Sequence, residues 1–100
     1  MVFEVRSTSE FSRWLADLRD LKAGLHITRR IDRLVTGNFG DSKPVGKTVS
    51  ELRINYGPGY RVYFTRRGIM VVILLCGGDK ATQARDIKRA QVLAAELDQP

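Results

Sequence analysis

Cysteine occurs once in 100 residues, at Cys76, and histidine once, at His26. A single thiol closes no internal disulfide, and neither CxxC nor Cys/His metal spacing is present. Carboxylate clusters that would hold Mg²⁺ are missing, which disfavours metal-dependent nuclease chemistry and points to no cofactor. No apolar run approaches the roughly 18 residues of a membrane span; the longest is Ile69 to Cys76. The first six residues lack the basic region and long apolar stretch of a signal peptide, so the expected location is the cytoplasm, away from any membrane. Repeats, low-complexity tracts and Pro/Ser linkers are absent too. Residues 1–100 are therefore expected to form one domain.

What is present is an ordinary globular hydrophobic fraction of 43% and a marked basic excess. Lys+Arg number 17 against 11 Asp+Glu, a net charge of +6. Most of these cations are arginines, whose planar fork of donors matches phosphate or carboxylate. Such a balance suits a polyanionic or acidic partner.

The pattern along the chain predicts the order β-α-α-β-β-β-β-α. Phe3 and Val5 alternate with Val2 and Glu4 as in a short strand. Ser7-Thr8-Ser9-Glu10 reads as a capping box. Phe11, Trp14, Leu15 and Leu18 then follow at helical spacing. Lys22 and Gly24 mark a break, after which Ile27, Ile31, Leu34 and Val35 repeat that spacing up to a stop at Gly37-Asn38. Arg29, Arg30 and Arg33 face away from this stripe. Pro44-Val45-Gly46 is extended, and from Val49 the period becomes 2. Tyr56-Gly57-Pro58-Gly59 is a turn, and Tyr60, Val62 and Phe64 alternate with Arg61, Tyr63 and Thr65. Ile69 to Cys76 suits a central strand covered on both faces, ended by Gly77-Gly78. Asp79 or Thr82 caps a last helix with Ile87, Ala90, Ala94 and Leu97 inward, and Cys76 reads as a core thiol. The expected class is α+β: an antiparallel sheet, mixed at its edge, packed against an N-terminal helical hairpin and a C-terminal helix.

Faces decide where the chemistry falls. Leu52 and Ile54 share the core face with Tyr60, Val62 and Phe64. The short turn sets Arg53 opposite Arg61 or opposite Tyr63, and either register places all three on the non-core face. Opposed guanidinium groups repel by a few tenths to about 1 kcal/mol, a cost that an anion between them removes. Lys43, Lys47, Arg53, Arg61, Arg66 and Arg67 meet only Glu51 between positions 43 and 67. Lys80 follows at the edge of the same face. With Tyr56 and Tyr63 interleaved, Lys43, Lys47, Tyr56, Arg66 and Arg67 form an expected RNA-binding surface that holds phosphates and stacks bases. For metal-free RNA cleavage, Arg53 and Arg61 suit the charged transition state. A phenol or ammonium group among cations gives up its proton more readily, which makes Tyr63 and Lys80 the candidates for proton transfer. His26, the alternative by chemistry, has no identifiable partner and reads as a helix-end residue.

Glu51-Leu52-Arg53-Ile54, Gly57-Pro58-Gly59-Tyr60-Arg61-Val62-Tyr63-Phe64, Leu74-Leu75-Cys76-Gly77-Gly78-Asp79-Lys80 and Asp86-Ile87 with Ala90 closely resemble the addiction module killer (HigB/RelE-like) branch of the RelE/ParE toxins. The resemblance covers essentially the whole chain. It implies the toxin of a type II toxin–antitoxin pair: a metal-independent mRNA endoribonuclease, or mRNA interferase, acting at the ribosome. A ParE-like DNA gyrase inhibitor and a degenerate toxin that only binds its antitoxin are the alternatives. Arg61 matches the arginine after Gly-Tyr that contacts the scissile phosphate in RelE-like ribonucleases. Arg53 falls near a catalytic-face lysine of theirs, and Lys80 near their second phosphate-stabilising arginine. RelE carries a tyrosine in its C-terminal segment that is implicated in proton transfer, whereas no tyrosine follows Tyr63 here. The implied partner is an antitoxin, a small helix-turn-helix protein of the HigA type. Arg13, Arg29, Arg30 and Arg33 on the first two helices are its expected docking side, with the sheet face as the other possibility.

Overall fold

The structure, a computed structural model, describes residues 2–99. Its elements are β1 (Glu4–Ser7), α1 (Ser9–Ala16), α2 (Leu21–Val35), β2 (Ser42–Gly46), β3 (Val49–Ile54), β4 (Tyr60–Arg67), β5 (Val71–Asp79) and α3 (Gln83–Leu97). A 3₁₀ turn, Lys80–Thr82, joins β5 to α3. The fold is α+β with a mixed five-stranded sheet in the order β1-β5-β4-β3-β2. β1 runs parallel to β5, and the other neighbours are antiparallel.

Local chemistry sets the helix starts, in places other than the expected ones. Thr8, not Ser7, caps α1: its Oγ1 accepts from the Phe11 N–H at 3.0 Å and donates to the Leu75 carbonyl at 2.6 Å. The cap therefore also ties α1 to the sheet. Glu10, free of a capping role, makes a forked ion pair with Arg89 of α3. Nor do Lys22 and Gly24 break a helix. Asp20 accepts from the N–H groups of Lys22 and Ala23 at 3.0 and 3.3 Å, so α2 begins at Leu21 and runs through both positions.

The sheet is covered on both faces. On one face Phe11, Ile27 and Leu34 from the first two helices pack against Leu52, Ile54, Val62, Phe64, Val72 and Leu74. On the other, Ala90, Leu93 and Ala94 of α3 pack against Val49, Tyr63, Leu75 and Cys76. An irregularity in the β4–β5 pairing, between Tyr63 and Phe64, lets Leu75 and Cys76 both join the α3 side. Leu97, expected inward on α3, is exposed, and Leu93 takes its place. Burial pushes the Cys76 thiol up to about 12, leaving it a core thiol as expected.

Gly77 and Gly78 do not end β5, which continues to Asp79. Their lack of a side chain serves packing. The Trp14 ring occupies the space a Cβ on Gly77 would take, and the Asp86 carboxylate occupies that of Gly78.

A candidate anion-binding cleft at the β3–β4 turn

Arg53 and Arg61 are direct cross-strand partners in β3 and β4, one of the two registers the turn allows. The anion between them belongs to the protein. Glu51 is fully buried, and its Oε1 accepts from Arg53 Nε at 2.9 Å and lies 3.7 Å from Arg61 Nε. Its Oε2 accepts from Tyr63 Oη at 3.1 Å and from Gln83 Nε2 at 2.7 Å. Burial alone would raise the Glu51 pKa. The hydrogen bonds from Arg53, Gln83 and Tyr63, with the nearby charge of Arg61, outweigh it and hold the carboxyl below its ordinary range. Glu51, Gln83 and the cleft-lining Asp41 are the site residues that sequence reasoning missed. For Glu51 the signal was there, since period 2 places it on the face of Arg53. For Gln83 it was not, because only the docking of α3 brings it over the sheet.

Tyr63 does not stand on an open face. It is fully buried beneath α3. Burial, then the charge of Glu51 and the hydrogen bond to it, raise its pKa well above the ordinary 10.0. The expectation of an easily ionised phenol is thus reversed: its charged neighbour within hydrogen-bond reach is a carboxylate, which opposes a second negative charge.

Beside the turn that leads into α3, a cleft of about 380 Å³ opens, and Arg53, Arg61 and Lys80 line it together with Asp41, Ile54, Asn55 and the Gly57–Gly59 turn. Arg61 is only 13% exposed through its side chain. Its Nη1 donates to the carbonyls of Gly59 and Tyr60 at 3.1 and 3.3 Å. Gly59 permits this fold-back. It has φ +81°, which favours glycine, and a Cβ there would come into contact with both the Arg61 guanidinium and the Lys80 Cβ at 3.4 Å. Arg61 Nε is buried without a hydrogen-bond partner among the described residues, held only by the attraction of Glu51. Lys80 is exposed at the rim. Asp79 fixes its backbone by accepting from the N–H groups of Ala81 and Thr82, while Thr82 Oγ1 accepts from the Asp79 N–H. One carboxylate beneath two guanidinium groups, with Lys80 exposed beside them, leaves a cationic surface in which Arg53 and Arg61 are held in place by Glu51 and by backbone carbonyls.

The remaining expected residues scatter. Arg66 and Arg67 lie at the other end of β4, seven steps of about 3.4 Å from Tyr60, or roughly 24 Å. Arg66 stacks over Phe3 and Phe39, and Arg67 pairs with Asp98 and the C-terminal turn of α3. Lys47 sits in the tight β2–β3 connection at that same far end, and Lys43 is exposed on the edge strand β2. Of the expected RNA-binding set only Tyr56 stays near the cleft, half-buried, donating to Asp20 at 2.9 Å. The scatter has one cause: strand and hairpin length carries residues adjacent in composition to opposite ends of the sheet. Arg13, Arg29 and Arg33 are exposed on the helices as expected. Arg30 is not. Its guanidinium turns inward and donates to the carbonyls of Arg53 and Phe39.

Among the described residues no group of three or more His, Cys, Asp or Glu side chains is placed to hold a metal ion, and no helix is long and apolar enough to cross a membrane. No protein-family model matches the chain. It is 50% identical over 97 residues to an uncharacterized protein of Haemophilus influenzae, an alignment covering 97% of this chain and 98% of that protein. Identity at that level over nearly the whole of both chains shows that this protein belongs to the family of that Haemophilus influenzae protein.

Proposed function

We propose that this protein is a RelE-like toxin of a type II toxin–antitoxin pair, a cytoplasmic endoribonuclease that cuts mRNA at the ribosome without a metal. One observation carries the reading: Arg61 and Lys80, matched to the phosphate-contacting arginines of that family, and Arg53, which falls near one of its catalytic-face lysines, line one cleft. In the cleavage step the ribose 2′-hydroxyl attacks the adjacent phosphorus and the bond to the 5′-oxygen breaks, giving a 2′,3′-cyclic phosphate and a 5′-hydroxyl. Arg61 and Arg53 hold the non-bridging oxygens as negative charge grows on them. Tyr63 is sealed under α3, so proton transfer falls to the titratable side chains on the cleft wall. Asp41 takes the 2′-hydroxyl proton, and Lys80 gives one to the departing 5′-oxygen. The antitoxin is a small acidic-faced helix-turn-helix protein drawn to the +6 toxin.

The test is brief induction followed by mapping of RNA ends and labelling of new protein and DNA. The reading requires cut mRNA with 5′-hydroxyl ends and loss of translation. Broken DNA and filamentation with intact mRNA would assign gyrase as the target instead, and unimpaired growth would leave a chain that only binds its antitoxin.

A further inference from the structure

Beside the cleft lies a second concavity of about 350 Å³, lined by His26, Arg29, Arg30, Arg33, Ile54 and Asn55. Ile54 and Asn55 also line the first, so the two are neighbours across the end of β3. Among the described residues no carboxylate lines the second concavity. Arg30 is committed to the carbonyls of Arg53 and Phe39, which ties α2 to the strand between the two hollows. Arg29 and Arg33 are exposed one helical turn apart, and neither is in an ion pair among the described residues. His26 stacks on Tyr56 with ring centroids 4.2 Å apart and 23° between planes. Tyr56 is itself anchored through Asp20, the cap of α2. The exposed His26 ring is thus backed on one side and open on the other, which is the arrangement a base-stacking platform needs.

We infer that this concavity is a second nucleotide site: a single RNA strand leaving the Arg53–Arg61 cleft crosses Ile54 and Asn55 and is held on α2, its phosphate by Arg29 and Arg33 and its base by His26. The inference rests on the ribonuclease reading of the first cleft and adds the direction in which the strand runs. Two guanidinium donors on one helix face, a platform beside them and a shared wall with the first cleft match the alternation of charge and aromatic surface that single strands require.

The experiment measures binding of single-stranded RNA, fully 2′-O-methylated to prevent cleavage, as a trinucleotide and as a nonanucleotide over a range of salt. Wild type is expected to hold the longer strand more tightly. Arg29→Ala/Arg33→Ala should abolish that advantage and flatten the logarithmic salt slope for the nonanucleotide by about 0.7, for the one phosphate no longer neutralised. Arg29→Lys/Arg33→Lys should keep the slope, and His26→Ala should weaken the nonanucleotide about tenfold while leaving the slope in place. Arg61→Lys should weaken both lengths. If the alanine pair leaves length and salt dependence as in wild type while Arg61→Lys impairs both lengths, the second site is wrong and the first cleft stands. If the alanine pair binds RNA normally but no longer binds the antitoxin, the face serves a protein and the inference fails. If wild type binds neither length, the second site fails, while the ribonuclease reading is decided by the mapped RNA ends.

Discussion

Arg53 and Arg61 face each other across β3 and β4, and the buried carboxylate of Glu51 lies against both guanidinium groups. Their repulsion is met inside the protein, yet one carboxylate neutralises only one of the two. The cleft they line with Lys80 therefore stays cationic, with both guanidinium groups held by Glu51.

Arg61 is the residue whose replacement should separate folding from function. Alanine removes a mostly buried stem and the hydrogen bonds to two backbone carbonyls, so it also costs stability, about 1–2 kcal/mol. Lysine keeps the charge and much of the stem but lacks the fork. Arg61→Lys is expected to remain folded by circular dichroism and to cut mRNA about 10²-fold more slowly or worse. Wild-type cleavage by this variant would remove Arg61 from the reaction.

Glu51→Gln tests the buried hub. It keeps the shape but leaves two guanidinium groups opposed, with a cost of about 1–3 kcal/mol at neutral pH, since Arg53 is a third exposed and regains water. The carboxyl of Glu51 is held below its ordinary value of 4.5. The stability it contributes is therefore full above about that pH and is lost as pH falls through the lower folded value. Glu10, held down first by the Arg89 hydrogen bond, acts in the same direction. Urea unfolding between neutral pH and pH 3 should show wild type weakening below about pH 4.5 and Glu51→Gln showing a shallower decline.

Tyr63→Phe should leave cleavage within a few-fold of wild type. The phenol is buried and its hydroxyl donates only to Glu51, so its removal costs about 0.5–1.5 kcal/mol of stability. A folded Tyr63→Phe protein that cannot cut RNA would show that Tyr63 reaches the reacting atoms.

Asp41→Asn keeps the size of the side chain on the cleft wall and removes its ability to take a proton. Cleavage by this variant is expected to fall about 10²-fold. Wild-type cleavage by a folded Asp41→Asn protein would exclude Asp41 as the base. Cleavage by wild type should persist when Mg²⁺ is replaced by a polyamine and EDTA, followed on synthetic RNA.

Gly78→Ala places a methyl group against the Asp86 carboxylate beside the turn that presents Lys80. The cost is about 1–3 kcal/mol, visible as a lowered unfolding midpoint, with reduced cleavage because Lys80 is displaced. Gly77→Ala meets the Trp14 ring instead, and should lower stability comparably with a smaller effect on cleavage.

Much of the fold was legible because it rests on local periods. Helical spacing at Phe11 and Ile27, strict alternation through β3 and β4, and the turn at Gly57-Pro58-Gly59 sufficed for the order of elements. They also sufficed for the shared face of Arg53, Arg61 and Tyr63, since a short turn permits few registers. Composition alone determined that the chain is basic, has no disulfide and has no carboxylate cluster in sequence. What a period cannot state is which part of a face a distant helix will cover. Only the return of α3 across the sheet buried Tyr63, brought Gln83 onto Glu51 and left Arg53 and Arg61 at an open end. Only the packing of α2 turned Arg30 inward while Arg29 and Arg33 stayed out. These outcomes depend on residues dozens of positions apart meeting one another, where burial and charge neutralisation are decided together, and such meetings exist only in the folded chain.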